Sequence, residues 1–234
     1  MIEAAGVVIP AHNEEDLLPA CLAAVRQAAR PVTPVPVHVI VVADSCTDQT
    51  AERAARSGAT VLRIQARCVG AARAAGMWQL LRRTWHLDPA TVWLATTDAD
   101  TLVPPDWLSQ QLRHAAAGWD AVAGMVTVTD WAGQPPHLAA VFRQHYGHGR
   151  GTHSHVHGAN LGFTARAYLA AGGFQPVTTA EDHALVTALS AAGSRILRST
   201  EGSVRTSARR HARAPRGFSH LLSSLAVAGS AGTA

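Results

Sequence analysis

The chain has 234 residues, 47% hydrophobic and 15% charged, with a formal net charge of +4. That much apolar residue builds a core and excludes a disordered chain, while no apolar run reaches the roughly 20 residues a membrane-spanning helix needs. All 20 basic residues are Arg, which excludes chemistries that require a lysine, among them P-loop phosphate binding, protein phosphorylation, and Schiff-base or pyridoxal catalysis.

Short apolar runs alternate with helical spacing through the first half. Val7–Pro10 reads as a strand. Leu17, Leu18, Cys21, Leu22 and Val25 then recur at helical spacing until the Pro-rich stretch 31–36. Val37–Ala43 is almost continuously apolar, as a strand buried on both faces is. A helix is expected over Thr47–Ser57, closed by Gly58. A strand over Thr60–Ile64, a helix over Val69–Arg83 and a strand over Val92–Thr97 follow. This alternation predicts an α/β fold with a doubly wound, mainly parallel sheet and helices on both faces. Nothing resembling a basic leader precedes the first strand, so no signal peptide and a cytoplasmic location are expected.

The second half is less regular. A helix near Pro105–Ala117 leads to a strand at Ala121–Val128. Residues 131–158, rich in Gly, His and Pro, read as a helix plus a mobile loop. A strand at Asn160–Thr164, a short helix, the turn Gly172-Gly173 and a helix over Thr179–Ala192 complete the pattern, and residues 223–234 read as a flexible tail. Cys21, Cys46 and Cys68 are odd in number and form no Cys-x-x-Cys pair, so neither a zinc site nor a disulfide framework is expected. They read as small buried hydrophobes or free thiols. Residues 195–216 hold seven Arg and one acid, leaving 13 Arg against 15 acids elsewhere. The positive charge is therefore local and suits a local anionic partner. That segment has no aromatic residue, so no base-stacking platform and no nucleic-acid partner are expected.

Ligands of open parallel sheets sit over the carboxyl ends of the strands. Polar residues cluster there: His12-Asn13-Glu14-Glu15 after the first strand, Asp44-Ser45-Cys46-Thr47-Asp48 after the second, Asp98-Ala99-Asp100 after the fourth. Helix capping explains part of this, since Asn13 and Thr47 are good N-caps. It does not explain Asp98 and Asp100. Two carboxylates at one strand exit suit Mg²⁺ or Mn²⁺, which take one or two carboxylates plus substrate phosphates. Thr179-Ala180-Glu181-Asp182 fits a capping box, and it fits equally a carboxylate facing a cleft. His145, His148, His153, His155 and His157 crowd the Gly-rich loop, as an acceptor-pocket lining or a transition-metal site; Trp131 and Tyr146 either stack on an acceptor or pack.

Five ordered blocks resemble glycosyltransferase family 2: Val7–Glu15, Val41–Thr50, Gly70–Gly76, Asp98-Ala99-Asp100, and Gly172-Gly173-Phe174 followed by Glu181-Asp182. The resemblance spans about residues 6–220. It implies a GT-A fold in one domain over residues 1–222, with a nucleotide-sugar half to about residue 100 and an acceptor half after it. It also implies a metal-dependent, inverting transfer of sugar from a nucleoside-diphosphate sugar to a hydroxyl. By the same resemblance Pro10, Ala11 and Glu14 line the nucleotide, Asp44 bonds the base, and Arg73 stands in the arginine position of its block. Asp98 meets the ribose and metal, and Asp100 is the direct metal ligand. Asp182 is the base, with Glu181 as the alternate, and His211 completes the metal shell. Ala43 and Ala74 depart from the usual Asp and Asn, which bears on nucleotide selectivity. Arg209 and Arg210 belong to a segment, 205–217, expected to fold over the diphosphate as a flap. A nucleotidyltransferase and a non-catalytic nucleotide-sugar or polyanion binding module are the alternatives. The first normally needs a Gly-rich opening loop with a basic residue, which this chain lacks. Peripheral membrane association is left open, as are the sugar, the base and the acceptor.

Overall fold

In a computed structural model of the chain, residues 1–128, 131, 135, 137–145 and 153–207 are described, with 143–145 by backbone alone. Among the described residues eight strands form one sheet. They are β1 (Ala4–Ala11), β2 (Val37–Asp44), β3 (Thr60–Ile64), β4 (Val92–Thr96), β5 (Thr101–Leu102), β6 (Ala121–Val128), β7 (Leu161–Thr164) and β8 (Ile196–Thr206). Seven helices among the described residues accompany them: α1 (Leu18–Ala29), α2 (Thr50–Arg56), α3 (Val69–Arg83), α4 (Trp107–Ala116), α5 (Leu138–His145), α6 (Ala165–Ala170) and α7 (Glu181–Ala191). The strand order is β3-β2-β1-β4-β7-β6-β8-β5.

The first four strands in that order are parallel. The sheet is thus mainly parallel, as expected; the antiparallel pairs are those of β7 with β4 and β6, and of β5 with β8. Side chains alternate across the sheet because strand side chains point to opposite faces in turn. Val7, Ile9, Val41, Trp93 and Ala95 join Leu18, Leu22 and Trp107 of α1 and α4 in one core layer. Val8, Ile40, Val42 and Leu94 join Met77, Leu80 and Leu185 of α3 and α7 in the other. Strands buried on both faces need apolar residues at every position, hence the continuous run in β2.

Three expected elements, β3, α3 and β6, coincide with the structure residue for residue. The strand after α7, β8, is 11 residues long. It pairs with β6 across a register shift between Gly124 and Val126, and with β5. Arg205 and Thr206, expected to begin a mobile flap, are therefore part of the sheet, with Thr206 only 8% exposed. From residue 208 on, that segment, with Arg209, Arg210 and His211, lies outside the described residues, as do Tyr146, His148 and the tail.

Candidate active site

The strand order turns outward in both directions from the β1–β4 pair, which opens a crevice over their carboxyl ends. Loops after β1, β2, β3 and β4 rim it. Among the described residues four non-glycine residues have left-handed backbone, and all four lie in rim loops or at the start of α7: Asn13 (φ 54), Ser45 (φ 53), Arg67 (φ 46) and Ala180 (φ 58). Such conformations are uncommon for non-glycine residues and collect at functional sites.

The first two loops are latched to each other. Asn13 Oδ1 accepts the Thr47 N–H at 2.8 Å, and the Thr50 hydroxyl accepts the Glu14 N–H at 2.7 Å. Asp48 accepts the Glu15 and Thr50 N–H groups. Asn13 and Thr47 thus bond each other, not the helix starts expected of them; the residues at the N-caps of α1 and α2, Leu17 and Gln49, make no side-chain cap bond. Pro10 is half-buried, while Ala11 and Glu14 are buried.

Asp44 closes β2 and is 5% exposed. Its Oδ1 accepts the N–H of Ala66 at 2.8 Å, that of Arg67 at 2.9 Å and the Ser45 hydroxyl at 2.9 Å, and its Oδ2 accepts the Cys68 N–H at 2.8 Å. The carboxylate ties the β3–α3 loop, including strained Arg67, to the end of β2. Burial raises its pKa, but the bonds from Cys68, Arg67 and Ala66 outweigh it and hold the carboxyl below its ordinary value. A depressed carboxyl contributes stability above the unfolded pKa and loses it as pH falls through the folded value. Asp44→Ala is expected to cost about 2–3 kcal/mol, since buried N–H groups lose their acceptor. The melting difference from the parent should be constant from neutral pH to about pH 5 and shrink below about pH 4. A pH-independent difference would deny the carboxylate this anchoring role.

Arg73 of α3 is the hub of the crevice and is 3% exposed. Its Nη2 donates to Asp98 Oδ1 at 2.6 Å, its Nε to Thr96 Oγ1 at 3.2 Å, and its Nη1 to Glu181 Oε1. Its guanidinium lies 5.8 Å from the Phe174 ring centre. One cation therefore joins the acid after β4 to the first residue of α7. Burial pushes Asp98 up to about 6; Arg73 pulls it down, and Asp100, Glu181 and Asp182 push it up again. Burial likewise raises Glu181 against the pull of Arg73. Behind them Cys21 donates its thiol to the Asp98 carbonyl at 3.3 Å. Burial and the charges of Asp100 and Asp98 push that thiol far up, so it stays neutral and unreactive. Cys21, Cys46 and Cys68 are all free, as expected.

Asp182 begins α7 beside Glu181 but is half-buried, not buried. Its Oδ2 accepts the Gly158 N–H and its Oδ1 the His183 N–H, both at 2.8 Å. The capping box does not form: left-handed Ala180 is the N-cap and makes no side-chain cap bond. Gly158 was not among the expected site residues. A Cβ there would lie 2.4 Å from Arg73 Nη2, so only glycine lets this N–H approach Asp182 behind the guanidinium. His157 precedes it, and burial lowers its pKa to about 4 despite Asp182. The rings of His153, His155 and His157 stack at 5.8 and 6.0 Å, as alternate residues of an extended segment do. Trp131 packs against Phe142 at 5.5 Å between ring centres.

Asp100 Oδ1 lies 3.4 Å from the hydroxyls of Thr101 and Thr206, and its Oδ2 accepts from Ser207 at 3.2 Å. Among the described residues no group of three or more His, Cys, Asp or Glu side chains is set to hold a metal ion. Asp98 and Asp100 remain a pair of hard oxygen donors. That suits Mg²⁺ or Mn²⁺, which bind through one or two carboxylates and complete their shell with phosphates and water.

The fold is of the GT-A type, the α/β fold of many nucleotide-sugar glycosyltransferases. It is shared with Staphylococcus aureus TarS, solved with UDP-GlcNAc, at a TM-score of 0.63 and 13% identity, over 90% of this chain and 60% of that one. A Pyrobaculum calidifontis mannosyltransferase solved with GDP-Man and Mn²⁺ aligns at 0.64 and 18%, over 100% of this chain and 76% of that one. Mycobacterium tuberculosis glucosyl-3-phosphoglycerate synthase, solved with Mn²⁺, UDP and glucosyl-3-phosphoglycerate, aligns at 0.54 and 18%, over 96% and 76%. The chain belongs to glycosyl transferase family 2, whose profile matches residues 6–166. It spans 60% of the TarS chain. No curated protein matches it in sequence.

Proposed function

We propose that the chain transfers a sugar from a nucleoside-diphosphate sugar to an acceptor hydroxyl, with inversion at the anomeric carbon. The observation that carries this reading is the bracket Asp98–Arg73–Glu181, with Asp182 next along α7. It ties the donor-side acid after β4 to the acid pair of α7 across one crevice.

In this reading Pro10, Ala11 and Glu14 line the nucleotide, and Asp44 shapes the wall against the base through the loop it anchors. Asp98 faces the ribose while held by Arg73. Asp100, with Asp98, would hold Mg²⁺ or Mn²⁺, and His211 would join them. The bound cation supplies charge neutralisation to the diphosphate leaving group. Arg209 and Arg210 are read as further diphosphate contacts. Asp182 takes the proton of the acceptor hydroxyl as that oxygen attacks the anomeric carbon and the bond to the diphosphate oxygen breaks. Glu181 is neutralised by Arg73 and positions the helix start. We read residues 1–222 as one domain, a reading supported by β8 returning to pair with β6 and β5 in the single sheet.

Donor binding tests the reading through linkage, since a ligand at about 100 times its dissociation constant adds about 2.7 kcal/mol. For a chain of this size that raises the melting temperature by roughly 5–11 °C. UDP and GDP are the probes. The rise is expected for one of them with Mn²⁺ and should be much smaller without it. Asp100→Asn should remove the metal-dependent part. A full shift in that variant would dismiss Asp100 as ligand, and no shift with either nucleotide would dismiss the transferase reading. Product formation from a labelled donor separates transfer from mere binding.

A further inference from the structure

The outward face of α3 takes no part in the crevice. Its inward face carries the buried Arg73, Met77 and Leu80. On the opposite face Trp78 is 63% exposed, and Trp85, just past the helix end, is 81% exposed. The chain's other tryptophans are placed differently. Trp93 and Trp107 are buried, Trp119 lies under the Arg195 guanidinium, and Trp131 packs on Phe142.

Arg82 and Arg83 stand between the two indoles, both exposed. Arg83 also donates to Thr60 Oγ1 at 3.2 Å. From Gln65 to Leu87 the sequence has four Arg and no acid. The first acid beyond, Asp88, is engaged in capping the next turn through the Ala90 N–H at 2.8 Å.

Scattered exposed apolar residues need no explanation. Two exposed indoles seven residues apart in sequence, one on α3 and one just past its end, flank an arginine pair in an acid-free stretch, a pattern with a definite complement. An indole has an apolar body and one N–H, which suits the headgroup level of a bilayer. An Arg fork binds phosphate through parallel hydrogen bonds. Anionic lipid also attracts each basic residue near its surface.

We propose that this face docks on an anionic lipid surface, with Trp78 and Trp85 at headgroup depth and Arg82 and Arg83 on lipid phosphates. The geometry leaves the crevice free. Residues Arg67 and Cys68, just before α3, border the crevice through Asp44. The helix then runs 15 residues away from it, about 22 Å at 1.5 Å per residue. The inference is independent of the transferase reading, because no donor enters its test.

The full chain should sediment with vesicles of mixed phosphatidylglycerol and phosphatidylcholine, and not with phosphatidylcholine alone. Added salt should weaken the binding, as surface charges are screened. Trp78→Ser with Trp85→Ser should lower partitioning at least ten-fold, and Arg82→Ser or Arg83→Ser roughly five-fold each. The variants should keep the parent's circular dichroism and melting temperature, since the substituted side chains are exposed. The proposal is overturned if the parent does not bind. It is also overturned if the double tryptophan variant binds as well as the parent, which would move the contact elsewhere, such as to the arginine-rich segment after β8. A parent that sediments alone as a dimer, split to monomers by the tryptophan substitutions, would make the face an interface between copies and also overturn it.

Discussion

Asp182→Asn is expected to lower turnover by about two to four orders of magnitude, the range a positioned general base contributes. The substitution keeps the shape of the side chain, and its remaining oxygen can still accept the Gly158 N–H. Nucleoside diphosphate binding and fold should therefore survive. The two acids at the start of α7 are separated by environment. Glu181 is 5% exposed and bound to Arg73, so its carboxylate is committed. Asp182 has one N–H on each oxygen, which fixes its plane and leaves each oxygen capacity to accept a further hydrogen bond. Release of nucleoside diphosphate from the active donor, with acceptor present, measures the loss. Glu181→Gln should instead lower the melting temperature more than it lowers turnover in the remaining folded protein. If Asp182→Asn turns over normally while Glu181→Gln does not, the roles are exchanged.

The fold was legible where one strong local signal acts alone. Helix α3 runs from Val69 to Arg83 because its buried positions recur at helical spacing. Strand β3 is bounded by Gly58 before it and Arg67, with φ 46, after it. Legibility failed where partners distant in sequence decide. Strand β5 is two residues long and exists because β8 pairs with it about 100 residues later. Strand β8 itself is interrupted by polar residues and by Gly202 with φ 65, so no clean alternation announces it. The capping expectations failed similarly. Asn13 and Thr47 have the right chemistry, but each finds the other across a separation of 34 residues. At the site, the carboxylates after β4 were readable as a cluster because they follow an apolar strand directly. The tie between Arg73 and Glu181 spans 108 residues, and nothing local marks it. Gly158 left one faint trace, a glycine between a histidine-rich loop and an apolar strand.

Arg73→Met is expected to destabilise the protein by about 3–5 kcal/mol, the usual cost of removing one partner from a buried ion pair. For a chain of this size that is roughly 6–20 °C of melting temperature. The cause is the charge left behind. Asp98 and Glu181 already have raised pKa values with the guanidinium present, and without it burial and mutual repulsion act unopposed. The sign with pH follows from that direction. A carboxyl whose folded pKa lies above its unfolded one costs stability once pH exceeds the unfolded value, and protonation relieves the cost as pH falls. The deficit of Arg73→Met should therefore be largest at neutral pH and smaller near pH 5. A second change, Glu181→Met in the same chain, should recover part of the loss, since a buried pair replaced as a whole by apolar groups is often tolerated. Arg73→Lys should recover little, because a single ammonium cannot span Thr96, Asp98 and Glu181 as the planar fork does. A pH-independent deficit, with no recovery in the double variant, would mean that Arg73 acts through packing on Phe174 and not through its charge.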